Sequence, residues 1–455
     1  IRNIVRELQF EGQDKLSEQQ GSGGLIETVV TADMRYLDQI YEVNVPVPQL
    51  DLELDAILDQ WASNFHKRFE ELFSYRQQDQ EIRLITLRVT AFSRLPKIEM
   101  PHLPTNTLTT PDPEGSRSMY LGTWLEVPVY NVDNLGPGIN IQGPALIESD
   151  FTSILVESGD NASIDVFGGV HLIVSAEQDP KEIENTEESR PDPVTVSVVE
   201  QRLESIAQEM VEVMLRTSMS QILNSSHDFS TVILDPKGQM VAQGEGIPVH
   251  MSALPIAAQS VQELFVDDIH PGDLFLINDP YFGGSHLPDI TVIWPIFHKD
   301  RLLFFSVNRA HHSDVGGATH GGYNPAASEI YHEGIRIPPV KIYEKGTPRE
   351  DVIRLLAANV RHPENFLGDL NAQIGSVMTA SRRLETLIER YGPNHLSRYA
   401  DEMLDATERR IRQMISKWPD GIYKGESLVD NDGFESSNIP VRAEVTILGD
   451  QMTID

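Results

Sequence analysis

The sequence predicts an α+β protein: a mixed, strand-rich N-terminal region with a small β-barrel or sandwich, then a mixed α/β region with long helices. Three observations carry this. Over residues 1–175, apolar side chains alternate or cluster in short runs between Gly/Pro turns, as strands do. From Ser197 onward they recur every three or four residues over long stretches, the period of a helix with one buried face. Between the two lies an acidic stretch with prolines at 180, 191 and 193 and seven acids from Glu177 to Asp192, which has no apolar face to bury. The expected organisation is therefore a unit over 1–175, a linker over 176–196 and a second unit over 197–455.

Taken in order, residues 36–47 alternate towards Val43, Val45 and Val47. Ile57, Leu58, Trp61, Phe65, Phe69 and Leu72 fall at helical spacing within 57–73, and residues 82–91 read as a strand buried on one face. After the Pro-rich passage 101–113, short strands are punctuated by Leu135-Gly136-Pro137-Gly138, Gly143-Pro144 and Ser158-Gly159-Asp160. Val199, Leu203, Ile206, Ala207, Met210, Val213 and Met214 form one face of a long helix, in which the methionines fill the core. Strands are expected at 230–234, 273–277, 290–297 and 302–308. Helices are expected at 369–391 and 396–417, the second stopped by Pro419-Asp420-Gly421. The final Ile454-Asp455 reads as the interior of a strand, as though the chain were part of something longer.

Composition excludes several functions. The net charge of −33 repels phosphates, so neither nucleic acid nor an anionic membrane is an expected partner. No apolar run approaches the ~20 residues that span a bilayer, and residues 1–6 lack signal-peptide architecture. The expected location is the cytoplasm. With no cysteine, thiolate zinc sites, iron–sulfur clusters and a cysteine nucleophile are excluded, and any metal must be held by His, Asp, Glu or water.

Nine of the fourteen histidines lie between His227 and His332, in short segments shared with acids, several of them following apolar strands. Loops at strand ends are where a scaffold usually presents catalytic groups. The sequence His311-His312-Ser313-Asp314, after the strand 302–308, offers imidazole and carboxylate donors to a divalent cation such as zinc or manganese. Adjacent residues of an extended strand face opposite ways, so His311 and His312 can both ligate only if the strand ends or bulges there. The run Gly316-Gly317-Ala318-Thr319-His320-Gly321-Gly322 offers amides to an oxyanion, or is a turn or lid. No GxxxxGK[ST] loop occurs. Asp430-Asn431-Asp432-Gly433 lacks the closing Glu of a calcium loop and reads as a surface turn. Ser225, Ser226, Ser285 and Ser313 neighbour histidines without a G-x-S-x-G elbow, a weak case for a nucleophilic triad.

Several ordered segments carry a resemblance: His227-Asp228-Phe229-Ser230, Ile247-Pro248-Val249-His250, Asn278-Asp279-Pro280, Gly284-Ser285-His286-Leu287-Pro288-Asp289, residues 309–317 and Gly334-Ile335-Arg336-Ile337-Pro338-Pro339. From Ser197 the chain resembles the hydantoinase B-type subunit of ATP-dependent hydantoinases, 5-oxoprolinases and caprolactamase. Residues 30–36 and Gly143-Pro144-Ala145-Leu146-Ile147-Glu148 are similar to the C-terminal part of the A-type subunit. The resemblance implies that an ATP-binding A-type core lies upstream of Ile1, so that ATP is bound there and not by this chain, and that an Asp-Phe-Thr-Gly-like segment follows Asp455. It also implies an A-type ATP-binding region or subunit as partner, in a homo- or hetero-oligomer.

By motif, the amide-hydrolysing branch implies metal ligands at Asp228, His286, His311 and His312; the acetone and acetophenone carboxylases imply His311, Asp314 and His332. The implied reaction is hydrolysis of a cyclic amide or imide, a metal-bound water attacking a phosphorylated carbonyl. His250, Asp289 or Asp314 would orient or act as base, and Arg309 would hold a substrate anion or sit in a structural salt bridge. The alternatives are ATP-dependent carboxylation of a ketone, and a non-catalytic scaffold that only assembles the complex.

Overall fold

The computed structural model describes residues 2–19, 26–47, 54–78, 80–93, 99–104, 111–121, 123–175, 191–321 and 323–455. Its contacts define two compact units, one of residues 20–26 and 93–189, the other of residues 1–19, 27–92 and 190–455. Residues 176–190 of the expected linker lie outside the described residues. The long helix Pro193–Thr217 begins inside the stretch expected as linker, because Asp192 caps it: the carboxylate accepts from Thr195 N at 2.9 Å and Pro193 occupies the first helical position.

In the smaller unit, Gly115–Tyr120, Trp124–Asn131, Ala145–Glu148 and Ser153–Val156 form a four-stranded sheet in that order. Val170–Ile173, Asn161–Ile164 and Asn140–Gln142 form a second, three-stranded sheet. Ile141, Ala162 and Ile164 of one share a core with Ala145, Ile147 and Val156 of the other. Of the two expected forms this is the sandwich; no barrel closes among the described strands.

In the larger unit, the helix Leu54–Phe73 lays Ile57, Trp61, Phe65 and Phe69 on the sheet of Val43–Pro46, Ile26–Tyr36 and Ile82–Ser93. Tyr36 meets Phe65 and Phe69 edge-on at 4.9 and 4.8 Å. Leu58 and Leu72, expected on the same face, are exposed. Val213 joins this aromatic core, Gln39 Nε2 donates to Thr217 O at 3.0 Å, and Ser74 Oγ lies 2.6 Å from Thr379 Oγ1. These links explain why residues 27–92 form one unit with 190–455.

The centre of the larger unit is a seven-stranded, wholly antiparallel sheet. Its order is Met240–Gln243, Phe229–Leu234, Arg301–His311, Asp289–His298, Leu274–Ile277, Val340–Glu344, Thr347–Pro348. Ile233, Leu276, Ile290, Val292 and Phe304 face the helices Pro193–Thr217 and Pro363–Tyr391. The alternate residues Val232, Leu234, Phe275, Ile293, Phe305 and Val307 face the helix Pro248–Leu264. Burial on both faces is why these strands read as continuous apolar runs rather than as alternation. Each such side chain contributes about 1.5–3 kcal/mol on leaving water, which fixes the strand register.

The helix Pro393–Ile415 follows Gly392, and the strands Gly421–Asn431, Ser437–Leu448 and Gln451–Ile454 make a last antiparallel sheet. Asp430 and Asn431 end the first of these strands and residues 432–436 turn into the next: Asp432 Oδ1 accepts from Phe434 N at 2.9 Å and Ser436 N at 3.1 Å, so the carboxylate serves the turn. No helix among the described residues is long and apolar enough to cross a membrane.

Candidate functional site

Three neighbouring strands end together at one end of the seven-stranded sheet. Asp228 immediately precedes Phe229–Leu234, Asp289 starts Asp289–His298, and His311 ends Arg301–His311. Asp289 and His311 are directly paired across the strands, so their side chains share a face. On that face lies the first turn of Pro248–Leu264, which presents His250, expected from sequence in a loop.

The imidazoles converge on one carboxylate. His286 Nδ1 and His250 Nε2 lie 2.8 and 3.0 Å from Asp289 Oδ2, and His311 Nδ1 lies 3.2 Å from Oδ1. Ser285 Oγ also donates to Oδ2. Asp289 is 1% exposed. Burial alone would raise its pKa, but the bonds from His250, His286 and His311 outweigh burial and hold the group ionised, well below the usual carboxylate range. The tautomer of His250 is set by its partners. Nε2, 3.0 Å from the ionised Asp289 carboxylate, carries the ring proton, and on the other side Ser230 Oγ accepts from Ile247 N at 2.9 Å and lies 3.3 Å from Nδ1. Asp228 stands at the mouth, its oxygens 3.8 Å from His250 Nε2 and 3.9 Å from His311 Nδ1.

His286, Asp289 and His311 can each offer a donor atom within 4.8 Å of the others. The set fits a divalent cation. Its donors are imidazole nitrogen and carboxylate oxygen, and His286 Nε2 is buried without a hydrogen-bond partner among the described residues.

The other expected residues lie elsewhere. His312 points to the opposite face, as strand alternation requires, where its Nε2 donates to Gln373 Oε1 at 2.9 Å and its ring meets Phe366. Burial lowers its pKa, and its Nδ1 has no hydrogen-bond partner among the described residues. Asp314 accepts from the backbone N–H of Arg361 and, at 2.7 Å, from its guanidinium. His332 is half-exposed, 3.1 Å from Glu329. Arg309 is fully buried. It donates to Thr291 Oγ1 at 2.8 Å, to Ser285 Oγ at 3.3 Å, to His250 O at 3.4 Å and to Gly283 O. Desolvation pushes its pKa down to about 10, against the field of Asp289. Its donors therefore brace the segment carrying Ser285 and His286.

That segment needs its glycines. Gly283 has φ +91°, and a Cβ there would lie 2.4 Å from Ala257 N; a Cβ on Gly284 would lie 2.2 Å from Asn278 O. In the run 316–321, the amides of Gly316, Ala318 and Gly321 donate to Asp314, His332 O and Ser313 O. They are therefore spent inside the protein rather than aimed at an oxyanion.

Several positioning residues escaped the sequence reading. Asn278 spends its whole amide, donating to Leu287 O and Ile335 O at 2.8 and 2.9 Å and accepting from Ile337 N at 2.6 Å. Gln373 donates to Ile290 O at 2.9 Å and Asn308 Oδ1 at 3.0 Å besides accepting from His312. Asn278 stands in the segment Asn278-Asp279-Pro280 that carries the resemblance, and Gln373 carries a signal of its own: Asp369, Gln373 and Ser376 are polar residues at helical spacing on an otherwise apolar, buried face.

Comparison with known proteins shows the family. The caprolactamase subunit beta of Pseudomonas jessenii is 39% identical over 260 residues, 57% of this chain and 45% of that protein. The 5-oxoprolinase 1 of Arabidopsis thaliana is 30% identical over 451 residues, 96% of this chain and 34% of that one. The crystal structure of the ATP-dependent caprolactamase from Pseudomonas jessenii superposes with a TM-score of 0.56 at 38% identity, covering 58% of this chain and 46% of that chain. The nucleotide-free acetone carboxylase, at 18% identity and a TM-score of 0.54 over 60% of this chain and 38% of that one, shares the fold. The chain thus spans less than half the length of the curated relatives it matches. Residues 1–174 match the hydantoinase/oxoprolinase C-terminal domain. Residues 192–455, which hold every member of the imidazole–carboxylate cluster, match hydantoinase B/oxoprolinase, and the chain belongs to that family.

Proposed function

We propose that this chain carries the carbonyl-side reaction site of an ATP-dependent hydrolase of cyclic amides or imides. The observation that carries the reading is the convergence of His250, His286 and His311 on the buried Asp289, with Asp228 at the mouth. His286, Asp289 and His311 would hold a zinc or manganese ion, with Asp228 as fourth ligand. Such an ion lowers the pKa of water towards neutrality and polarises a carbonyl oxygen. Asp289 fixes the rings of His286 and His311, His250 and Ser285 hold Asp289 in turn, and Arg309 keeps the 283–286 segment in place. An amide is a poor electrophile at neutral pH. ATP would therefore phosphorylate the amide oxygen in an A-type region or partner subunit, as the naming of the related caprolactamase chain as subunit beta suggests. Water then adds to the activated carbon at this site, the C–N bond breaks as the nitrogen takes up a proton, and the phosphoryl group leaves as inorganic phosphate, which gives the carboxylate and amine of the opened ring.

Two placements favour hydrolysis over carboxylation of a ketone. Asp314 is engaged by Arg361 and His332 by Glu329, so neither joins His311. A purely scaffolding chain has no use for three imidazoles around one buried anion. The test is ADP release by the full-length protein with its ATP-binding region, over a panel of 5-oxoproline, hydantoin, ε-caprolactam and ketones, with and without bicarbonate. ADP release dependent on a cyclic amide and indifferent to bicarbonate is expected. Release that needs a ketone and bicarbonate would overturn the proposal.

A further inference from the structure

Tyr323 belongs to no part of the machinery so far described. It is 75% exposed, yet its ring lies 6.2 Å from that of His311 at an interplanar angle of 20°, and 6.1 Å from that of His286. Bonds outside the cation cluster hold it there. Thr319 Oγ1 donates to Tyr323 O at 3.1 Å, and Gly321 N donates to Ser313 O at 3.1 Å. Arg361 clamps the base of the segment through Asp314 at 2.7 Å, Gly316 O at 3.2 Å and Gly317 O at 2.6 Å. A ring so exposed contributes little to a core. Its position beside the two histidines, with one face nearly parallel to His311, gives it a direct view of anything bound at them.

We propose that Tyr323 contacts the substrate. Its ring forms the wall against which the flat amide or imide unit lies when the carbonyl carbon reaches the His286–Asp289–His311 cluster. The inference rests on the cyclic-amide reading above and adds what sets preference within that class. A planar imide or a five-membered lactam is nearly flat throughout and lies on an aromatic ring over its whole face, whereas in a seven-membered lactam only the amide unit is flat and the puckered methylenes hold part of the ring away. Tyr323 therefore favours flat, small rings. The stacking needs the ring and not the hydroxyl, so phenylalanine serves in its place.

The experiment uses the full-length protein with its ATP-binding region, as wild type, Tyr323→Phe and Tyr323→Ala. Binding of hydantoin, 5-oxoproline and ε-caprolactam is measured by titration calorimetry, KM and kcat by ADP release, and metal by elemental analysis. In Tyr323→Ala, binding of hydantoin and 5-oxoproline should weaken by about 3- to 10-fold, the scale of one aromatic stacking contact. KM should rise in parallel, kcat should stay within about twofold, ε-caprolactam should be affected less, and metal should be retained. Tyr323→Phe should restore binding. Equal binding of all three probes by wild type and Tyr323→Ala would overturn the Tyr323 assignment alone, as would loss of metal from Tyr323→Ala, which would make the ring a prop for the ligands. Wild type that binds none of the probes would overturn the cyclic-amide reading and the assignment with it.

Discussion

Replacing Arg309 by methionine separates the two roles a buried arginine beside an active site can have. The side chain is fully buried and makes two firm bonds, to Thr291 Oγ1 at 2.8 Å and to Gly283 O, and two long ones, to Ser285 Oγ and His250 O. Hydrogen bonds involving a charged group contribute about 1.5–3 kcal/mol each, so the firm pair is worth about 3–6 kcal/mol. Methionine recovers part of this by removing the cost of burying a cation, which leaves an expected destabilisation of about 2–4 kcal/mol. Gly283 O is then stranded in the interior, and the segment that brings Ser285 and His286 to Asp289 loses its brace. The variant should show a lower urea midpoint with an unchanged slope, and weaker metal retention on dialysis against a chelator. Wild-type stability and metal content, with KM raised only for substrates bearing a carboxylate, would refute this and make Arg309 an anion-binding residue.

His311→Ala should lose its metal on elemental analysis and lose activity with it. His312→Ala should keep the metal and be destabilised by about 1–3 kcal/mol, because it strands Gln373 Oε1 in the interior; metal loss from both variants would contradict the assignment of His312 to the other face. Lys341 tests a separate ion cluster. Burial lowers its pKa, but Asp268 and Asp273, 2.9 and 3.1 Å away, outweigh burial and raise it above 10.5. A raised folded-state pKa contributes stability that is fully present below the unfolded value and is lost as pH rises through the folded one. The urea midpoint of wild type should therefore fall from pH 10 upward, and that of Lys341→Met should fall less.

What could be read from the sequence follows from what each pattern encodes. The helices Leu54–Phe73 and Pro193–Thr217 bury one stripe each, so a period of three or four is written directly into their residues. Pro248–Leu264 escaped notice because Pro255 lies inside it and Pro248 opens it, and both prolines argue locally for a loop. The strands Gly421–Asn431 and Ser437–Leu448 escaped because they are mostly exposed and no buried face imposes alternation. Nothing local tells that residues 27–92 join 190–455, since that union rests on the contacts of Gln39, Ser74 and Val213 with residues distant in sequence.

The site divides along the same line. A density of histidines and acids at strand ends is a sequence property, and it marks the segments of Asp228, His250, His286, Asp289 and His311, whose side chains the fold brings together. Which of two adjacent histidines turns inward is a question of register. Arg301–His311 pairs with Asp289–His298 so that His311 opposes Asp289, and Arg309, two residues earlier, shares that face. His312 must then share the other face with Asn308, and Gln373 touches both of these side chains there. A one-residue slip would carry His312 to Asp289 and bury Ala310 where Arg309 now braces the 283–286 segment. The apolar residues on both faces of the strand, Phe304 towards one helical layer and Phe305 and Val307 towards the other, hold the register against that slip. The chemistry at the end of the sheet is thus decided by the packing in its middle.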